Sequence, residues 1–174
     1  MNNLSRQVLI LIRGGLGSGK TTVGKLLRDS LSPAISISFN IFHTFISQDP
    51  IKNKSLTFEA MLMITDFFLK KKFSVILNEL FIYPESIYPF LKLGEKYQIP
   101  VFLFELQVSE EEAFKRYELE GIKKVPRENI RKVLELLSTH PIPSAYEIDT
   151  NQYSAEEVKN LILKAIYERF SEND

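Results

Sequence analysis

Residues 14–21 read Gly-Gly-Leu-Gly-Ser-Gly-Lys-Thr, and the rest of the chain is best interpreted from this stretch. It matches the pattern G-x-x-x-x-G-K-[S/T] in full, and four of the chain's seven glycines lie in it. Glycines permit backbone conformations in which successive N–H groups point into one concavity, where they can bind phosphate oxygens. An aliphatic run precedes the motif and a helical pattern comes after it, as this mechanism requires. The sequence therefore predicts a phosphate-binding loop.

The predicted loop gives each of its positions a role. Lys20 is expected to contact the β- and γ-phosphates of a nucleotide as a point charge, and the Thr21 hydroxyl is expected to ligate Mg²⁺. The positive end of the following helix adds to the attraction for anions. Thr22 is expected to cap the helix or pack nearby. The predicted nucleotide-binding residues are Gly14, Gly15, Leu16, Gly17, Ser18, Gly19, Lys20, Thr21 and Thr22.

Composition excludes several classes of protein. The chain has 174 residues, of which 44% are hydrophobic and 25% charged, and this length suits one globular domain. Its 22 basic and 22 acidic residues cancel, which argues against a nucleic-acid or anionic-membrane partner. The chain has no cysteine, so disulfides, thiol catalysis and Cys-ligated zinc are excluded. No stretch approaches the roughly 20 apolar residues that a membrane span needs, and we expect a cytoplasmic protein.

Short apolar runs alternate with longer helical patterns along the whole chain. The alternation predicts strands at 7–13, 34–39, 73–77, 101–108 and 145–148, and helices at 20–31, 56–72, 84–98, 110–120, 126–138 and after Ser154. Ser109, which precedes three glutamates, and the pair Ser154 and Glu157 are helix N-terminal signals. Five strand–helix repeats predict an α/β fold in which helices cover both faces of a five-stranded parallel sheet. Ligands of such sheets bind at the carboxyl ends of the strands.

The loop, the single compact domain and the order of the later elements resemble the small P-loop kinases of the nucleoside-monophosphate-kinase-like group. That group includes shikimate, gluconate and adenylylsulfate kinases and the chloramphenicol phosphotransferases. The resemblance covers about residues 7–170, and the loop is its one specific motif. It implies a three-layer α/β/α P-loop NTPase fold with strand order 2-3-1-4-5, formed by residues 1–174 as one domain. It also implies ATP, Mg²⁺, a small-molecule acceptor and a lid at about residues 119–131.

The chain departs from this group where the acceptor would bind. Members usually carry an aspartate at the end of the second strand, which takes the proton of the acceptor hydroxyl. Asn40 occupies that place here, and an amide can orient a hydroxyl but cannot accept its proton at neutral pH. Asn40 is therefore interpreted either as a residue that orients the acceptor or as a cap of the next helix. His43, one helical turn on, is either an acceptor contact or base, or a residue packed on a helix face.

Glu79, at the end of the third predicted strand, is the residue that we expect to replace the missing aspartate. Similar kinases often have an acidic residue there, bound to Mg²⁺ through water or to the acceptor. The resemblance thus makes Glu79 both a catalytic residue and, with Thr21, a magnesium ligand. The alternative interpretation is an exposed residue that begins a loop.

Arg116 lies on the helix after the fourth strand, where similar kinases place an arginine that grips the nucleotide or the transferring phosphate. They often carry a second arginine four residues later, and Glu120 stands there instead. Residues 149–151 are expected to flank adenine, as the equivalent segment does in that group. Four further cations could supply the second lid charge or could form a solvated helix face paired with glutamates: Lys123, Lys124, Arg127 and Arg131.

An aromatic cluster flanks the predicted ends of the second and third strands. It is expected either to belong to the core or to shape an apolar acceptor pocket. Its members are Phe39, Phe42, Phe45, Phe81, Tyr83, Tyr88 and Phe90.

The predicted function is transfer of the γ-phosphoryl group of ATP to a hydroxyl or phosphate group of a small molecule. The predicted catalytic residues are Lys20, Asn40, Glu79 and Arg116. The alternative function, which Asn40 favours, is a nucleotide-binding regulator or sensor without efficient phosphotransfer. The zero net charge counts against a kinase of nucleic-acid ends.

Overall fold

The computed structural model describes residues 6–44, 54–119 and 125–171. Its central strand, β1, pairs in parallel with a neighbour on each side, and Leu9 lies opposite both Val75 and Val101. The sheet has five strands, all parallel, in the order β2-β3-β1-β4-β5. This confirms the fold class and the strand order expected from the sequence. The strands are β1 Leu9–Gly14, β2 Ala34–Ser38, β3 Ser74–Asn78, β4 Val101–Gln107 and β5 Tyr146–Asp149.

Six α-helices and two 3₁₀ helices connect and cover these strands within the described residues. The α-helices are α1 Lys20–Ser30, α2 Lys54–Lys70, α3 Tyr88–Tyr97, α4 Glu110–Leu119, α5 Arg127–Thr139 and α6 Ala155–Ser171. The 3₁₀ helices span Phe39–Thr44 and Pro84–Ile87. None of the described helices combines the length and apolar character that crossing a bilayer would require.

Most predicted boundaries agree with the structure to within two residues, and two predictions differ in the type of element that forms. The helix expected at 84–98 divides into a 3₁₀ helix and α3, because Pro89 has no N–H to donate and fits an α-helix only in its first turn. Phe39, expected to end the second strand, begins a 3₁₀ helix instead. That turn brings Asn40 to the carboxyl edge of the sheet.

Helices cover both faces of the sheet, which explains the unbroken aliphatic sequence of β1. Ile10 and Ile12 belong to a core that includes residues of α1 and α6, whereas Leu9 and Leu11 belong to a second core shared with α2 and α3. All four side chains are 0% exposed. Because β1 is held on both faces and both edges, the loop after it starts from a rigid position.

The two predicted helix N-termini are confirmed, and one of them also fixes a loop at the carboxyl edge. Ser154 Oγ accepts from the N–H of Glu157, whose carboxylate accepts from the N–H and the hydroxyl of Ser154. Ser109 Oγ accepts from the N–H of Glu112, and the Ser109 N–H and hydroxyl both donate to Asn151 Oδ1. The start of α4 is therefore bound to the loop after β5.

Candidate nucleotide site and acceptor cleft

Two glycines give the loop between β1 and α1 its shape. Gly17 and Gly19 have φ angles of 72° and 86°, which L-residues with a side chain rarely adopt. A Cβ at Gly17 would also lie 2.8 Å from the carbonyl oxygen of Ala113 on α4. Gly19 occupies the N-cap position of α1, where no side chain caps the helix and the first turn carries no carboxylate. The first N–H groups of α1 are therefore left for an external anion.

The Lys20 side chain folds back over the loop. Its Nζ donates to the carbonyl oxygen of Gly15 at 2.7 Å and lies 3.4 Å from Ser18 Oγ. Burial lowers the pKa of Lys20 from 10.5 to about 8, and the negative charge of Glu79 offsets part of this shift. The Lys20 ammonium group thus has only neutral hydrogen-bond partners in the loop. A bound polyphosphate would therefore stabilise the charged form of Lys20 strongly.

This pKa predicts that ATP binding takes up protons. Near pH 8 about half of the free protein carries a neutral Lys20, and bound phosphates raise the pKa of Lys20 so that it becomes charged. We expect uptake of about half a proton at pH 8 and little at pH 6.5, with affinity falling as the pH rises above 8. Titration calorimetry in buffers of different ionisation enthalpy measures this uptake. Equal apparent enthalpies in all buffers at pH 8 would contradict the prediction.

One cleft of about 1480 Å³ runs along the carboxyl edge of the sheet and joins the loop to the ends of β2 and β3. All four predicted catalytic residues, Lys20, Asn40, Glu79 and Arg116, line it. Thr21 and Thr22 line it as well, together with the loop from Leu16 to Gly19. Gly14 and Gly15 are buried behind the loop, where they contribute backbone only. The cleft is large enough for a nucleotide and a second small molecule.

Glu79 lies directly after β3, on the strand next to the loop. Its N–H donates to the carbonyl oxygen of Ile12 in β1, which extends the pairing of the two strands to the edge of the cleft. Its Oε1 accepts from the N–H of Leu80 at 2.8 Å. The side chain is half-buried and near enough to Lys20 to influence its pKa.

The residue before Glu79 makes a contact that sequence reasoning missed. Asn78 is buried, and its Nδ2 donates to Ser36 Oγ at 2.7 Å. The Asn78 amide lies against Gly24 of α1 so closely that a Cβ at Gly24 would collide with its Oδ1, Nδ2 and Cγ. A glycine inside an otherwise regular helix was the available signal, because such glycines often mark a close approach.

Arg116 holds three parts of the site together. Its Nη1 donates to the carbonyl oxygen of Gly17 at 3.1 Å and to Thr150 Oγ1 at 3.2 Å, and its Nη2 donates to the Thr150 carbonyl at 2.7 Å. Its Nε donates to Glu112 at 3.0 Å. The guanidinium thus fixes the loop to Thr150, the middle residue of the segment expected to flank adenine, and Thr150 itself lines the cleft.

The other predicted lid cations form ion pairs on helix surfaces where they are described. Arg127 Nε lies 2.6 Å from Glu110 Oε1, and Arg131 Nε lies 3.9 Å from Glu135 Oε1. The proposed lid, 119–131, comprises the end of α4, an undescribed stretch and the first turns of α5. Glu120, which stands where similar kinases carry a second arginine, lies outside the described residues. So do Lys123, Lys124 and the side chain of His43.

The aromatic cluster divides between the two expected roles. Phe42 and Phe90 are 0% exposed in the core beside α2 and α3. Phe39, Phe81 and Tyr83 line the cleft, and Phe81 is also part of that core. Of the remaining members, Tyr88 is exposed outside the cleft lining and Phe45 lies outside the described residues.

Arg13, just before the loop, is a second residue whose importance the sequence did not reveal. Its side chain is 0% exposed, and its Nη2 donates to the carbonyl oxygens of Leu137 and His140 at 3.0 and 2.7 Å. Its Nη1 lies 3.1 Å from Glu105 Oε2 on β4. Burial lowers the pKa of Arg13, and the charge of Glu105 opposes that shift. Arg13 therefore anchors the C-terminal end of α5 to the strand that carries the loop.

The oxygen donors on the cleft suit magnesium. Thr21 offers a hydroxyl and Glu79 a carboxylate, and both line the same cleft. Across the three described ranges, no group of three or more His, Asp or Glu could hold a metal ion by itself. Mg²⁺ is typically bound by one or two protein oxygens and keeps its other positions for water and substrate phosphates. A hydroxyl and a carboxylate therefore fit Mg²⁺ bound together with a nucleotide.

The chain is similar to several solved structures. Adenylylsulfate kinase of Mycobacterium tuberculosis, solved with AMPPNP and APS, has a TM-score of 0.70 at 13% identity, over 93% of this chain and 98% of that one. A gluconokinase of Sinorhizobium meliloti 1021 has a TM-score of 0.64 at 16% identity, over 99% and 97%. The tunicamycin resistance protein of Deinococcus radiodurans has a TM-score of 0.68 at 16% identity, over 92% and 96%.

No protein-family model matches the chain, and no curated protein matches it in sequence. The structural similarity extends over nearly the whole of each chain, although fewer than one residue in five is identical. The chain therefore has the fold of the small P-loop kinases. This confirms the resemblance inferred from the loop and the order of the elements.

Proposed function

We propose that this protein is an ATP-dependent phosphotransferase that transfers the γ-phosphoryl group to a hydroxyl or phosphate group of a small molecule. The observation that carries the proposal is the single cleft that joins an uncapped glycine loop, with Lys20 folded over it, to a second compartment at the ends of β2 and β3. Structural neighbours that include an adenylylsulfate kinase and a gluconokinase support a kinase over other uses of the loop.

The residues on the cleft supply the parts that phosphoryl transfer needs. The loop amides and Lys20 bind the phosphates and offset charge as the bond from the γ-phosphorus to its bridging oxygen breaks. The acceptor oxygen forms the new bond to phosphorus, and its proton passes to Glu79. Asn40 orients the acceptor by hydrogen bonding, and Arg116 adds positive charge beside the loop. Mg²⁺, held by Thr21 and by Glu79 through water, would neutralise phosphate charge.

Glu79→Gln is expected to reduce kcat by about 10²-fold or more, because the amide cannot accept the acceptor proton. The KM for ATP should change by only a few-fold, since the loop and Lys20 remain intact. The amide can still accept from the Leu80 N–H, so the local backbone contact is kept. Steady-state kinetics with the best acceptor measures both constants. A variant with full kcat would remove Glu79 from the mechanism.

The proposal is tested by incubating the protein with ATP and Mg²⁺ and a panel of small hydroxylated and phosphorylated acceptors. Phosphorylated product is detected by mass spectrometry. Turnover with an acceptor that disappears in a folded Lys20→Ala variant supports a kinase. A parallel panel with GTP identifies the base that the nucleotide site prefers.

A nucleotide-binding regulator or sensor is the second candidate, and the amide of Asn40 at the usual base position favours it. A sensor would bind ATP and Mg²⁺ tightly and yield no product with any acceptor. Under that function, Glu79→Gln would change nucleotide affinity by no more than the few-fold expected for the kinase, and Asn40 substitutions would have no effect on ATP binding.

A further inference from the structure

The second compartment of the cleft, here called the acceptor end, is lined by carboxylates and by no described cation. Its described lining residues come from the end of β2 and the 3₁₀ helix after it, the first turns of α2 and the segment from 78 to 86. None of these lining residues is Lys, Arg or His, and two of them, Glu79 and Glu85, are carboxylates. The cations on the described cleft wall, Lys20, Lys25 and Arg116, come from α1 and α4.

The floor of the acceptor end is aromatic and rigid. Phe58 and Phe81 line the cleft, and both rings pack edge-on against the buried Phe90, with centroids 5.3 and 5.8 Å away. Phe81 has a φ angle of 42°, a conformation that a bulky residue keeps only where its surroundings enforce it. With the half-buried Phe39, these rings offer a preformed apolar surface to a ligand.

The rim of the acceptor end carries Tyr83 and Glu85. Tyr83 is 51% exposed, and its ring and that of His140 are nearly perpendicular, with the centroids 4.9 Å apart. Glu85 is exposed, and its carboxylate forms no ion pair or hydrogen bond with any described residue. An aromatic face next to a free carboxylate attracts cations and repels anions.

We propose that the acceptor is a hydroxyl compound with an apolar or aromatic body and no negative charge, and that the site prefers acceptors that carry a positive charge. This inference rests on the proposed function and narrows its acceptor class. A carboxylate or phosphate ester would face Glu79 and Glu85 with no cation from the described acceptor end to pair with it. An ammonium group would lie between Tyr83 and Glu85 while the hydrophobic part covers the phenylalanine floor.

Three probes that share one scaffold and differ in charge test this preference. They are 2-amino-1-phenylethanol, 1-phenylethane-1,2-diol and mandelate, which are cationic, neutral and anionic at pH 7. We expect the amine to bind at least tenfold more tightly than mandelate, with the diol between them, by calorimetry on the protein saturated with AMPPNP and Mg²⁺. Equal or tighter binding of mandelate would overturn the proposal, and so would failure of all three probes to bind.

Variants of Glu85 locate the source of the preference. Glu85→Gln should reduce the amine-to-mandelate affinity ratio by about threefold to tenfold, and Glu85→Lys should reverse the order. Glu95 is a matched control, because it is exposed on α3 and absent from the described cleft lining. Glu95→Gln and Glu95→Lys should leave the ratio within twofold of the parent protein. An equal effect at both positions would overturn the assignment to Glu85.

The outcomes separate this inference from the proposed function. Binding of the three probes in the expected order, with no phosphorylated product from any acceptor of the panel when ATP replaces AMPPNP, supports the charge preference and contradicts the kinase. Phosphorylation of anionic acceptors in preference to cationic ones supports the kinase and overturns the charge preference.

Discussion

Lys20→Met is expected to weaken ATP binding by about 10²-fold or more and, at the same time, to raise the free energy of unfolding. The loss of affinity follows from removal of charge-assisted hydrogen bonds to the phosphates. The gain in stability follows from the burial that lowers the pKa of Lys20 to about 8. Because the thioether replaces a half-buried, poorly solvated ammonium group by an uncharged chain of similar length, we expect a gain of about 1–2 kcal/mol at pH 7.

The sign of the pH dependence is fixed by the direction of this shift. The folded protein releases the Lys20 proton near pH 8, whereas the unfolded chain keeps it to about pH 10.5. Below pH 8, Lys20 is protonated in both the folded and the unfolded protein, and the folded protein bears the full free-energy cost of burying the charge. This cost diminishes as the pH rises from 8 to 10.5. The advantage of Lys20→Met should therefore be largest at neutral pH and shrink at pH 10.

Urea unfolding of the parent and variant at pH 7 and pH 10 measures this difference. Lys92→Met is the control, since Lys92 is exposed on α3 and does not line the described cleft. It should leave ATP affinity unaltered and stability within about 0.5 kcal/mol. A Lys20→Met protein that binds ATP normally would contradict both the loop assignment and the proposed function.

Arg13→Met is expected to cost about 3–5 kcal/mol of stability, the largest loss among these predictions. The change removes the partner of Glu105 and leaves the carbonyl oxygens of Leu137 and His140 without their donor. Burial already raises the pKa of Glu105, and the charge of Arg13 opposes that shift. Without Arg13 the pKa of Glu105 rises further, so Glu105 takes up a proton when the variant folds. The loss of stability caused by Arg13→Met should therefore be smaller at pH 5 than at pH 8.

A second substitution distinguishes loss of the ion pair from loss of packing. In the double variant Arg13→Met, Glu105→Leu no buried charge is left alone, and we expect at least half of the lost stability to return. Arg28→Met is the control, because Arg28 pairs with Asp29 on the surface and should contribute less than about 1 kcal/mol. Equal stability losses for Arg13→Met and Arg28→Met, measured by urea unfolding, would refute the anchoring role of Arg13.

The fold was predictable because the hydrophobic patterns of the strands and helices agreed with the position of the glycine motif between them. The run before Gly14 is aliphatic at nearly every position, which is typical of a central parallel strand, and the glycine loop indicated that a helix comes next. The strand order came from the resemblance to a known group and was then confirmed. The two predictions of element type that failed, at Phe39 and at residues 84–87, lie where a 3₁₀ helix forms. Such short helices are common as connectors and at the ends of α-helices, where local sequence patterns do not separate them from a strand end or an α-helix.

The candidate site was less predictable than the fold. The loop positions follow from a motif, and the locations of Asn40, Glu79 and Arg116 on one cleft follow from topology. The contacts of Arg13 and Asn78 did not follow, because each depends on residues more than 40 positions away in the chain. Whether a charged side chain lies on a surface or inside a core depends on tertiary packing, which local sequence patterns do not encode.

The contact between Gly24 and Asn78 has a consequence for the distance across the site. Asn78 cannot retreat without losing its hydrogen bond to Ser36, and α1 cannot come closer than the hydrogen on Gly24 allows. The absence of a side chain at Gly24 thus lets α1 approach β3 closely, and this approach sets the separation between Thr21 on α1 and Glu79 after β3. Even alanine at position 24 would force the two elements apart. In the proposed magnesium site, where Thr21 would bind the ion directly and Glu79 through water, this would lengthen the span that the ion and its water must cover.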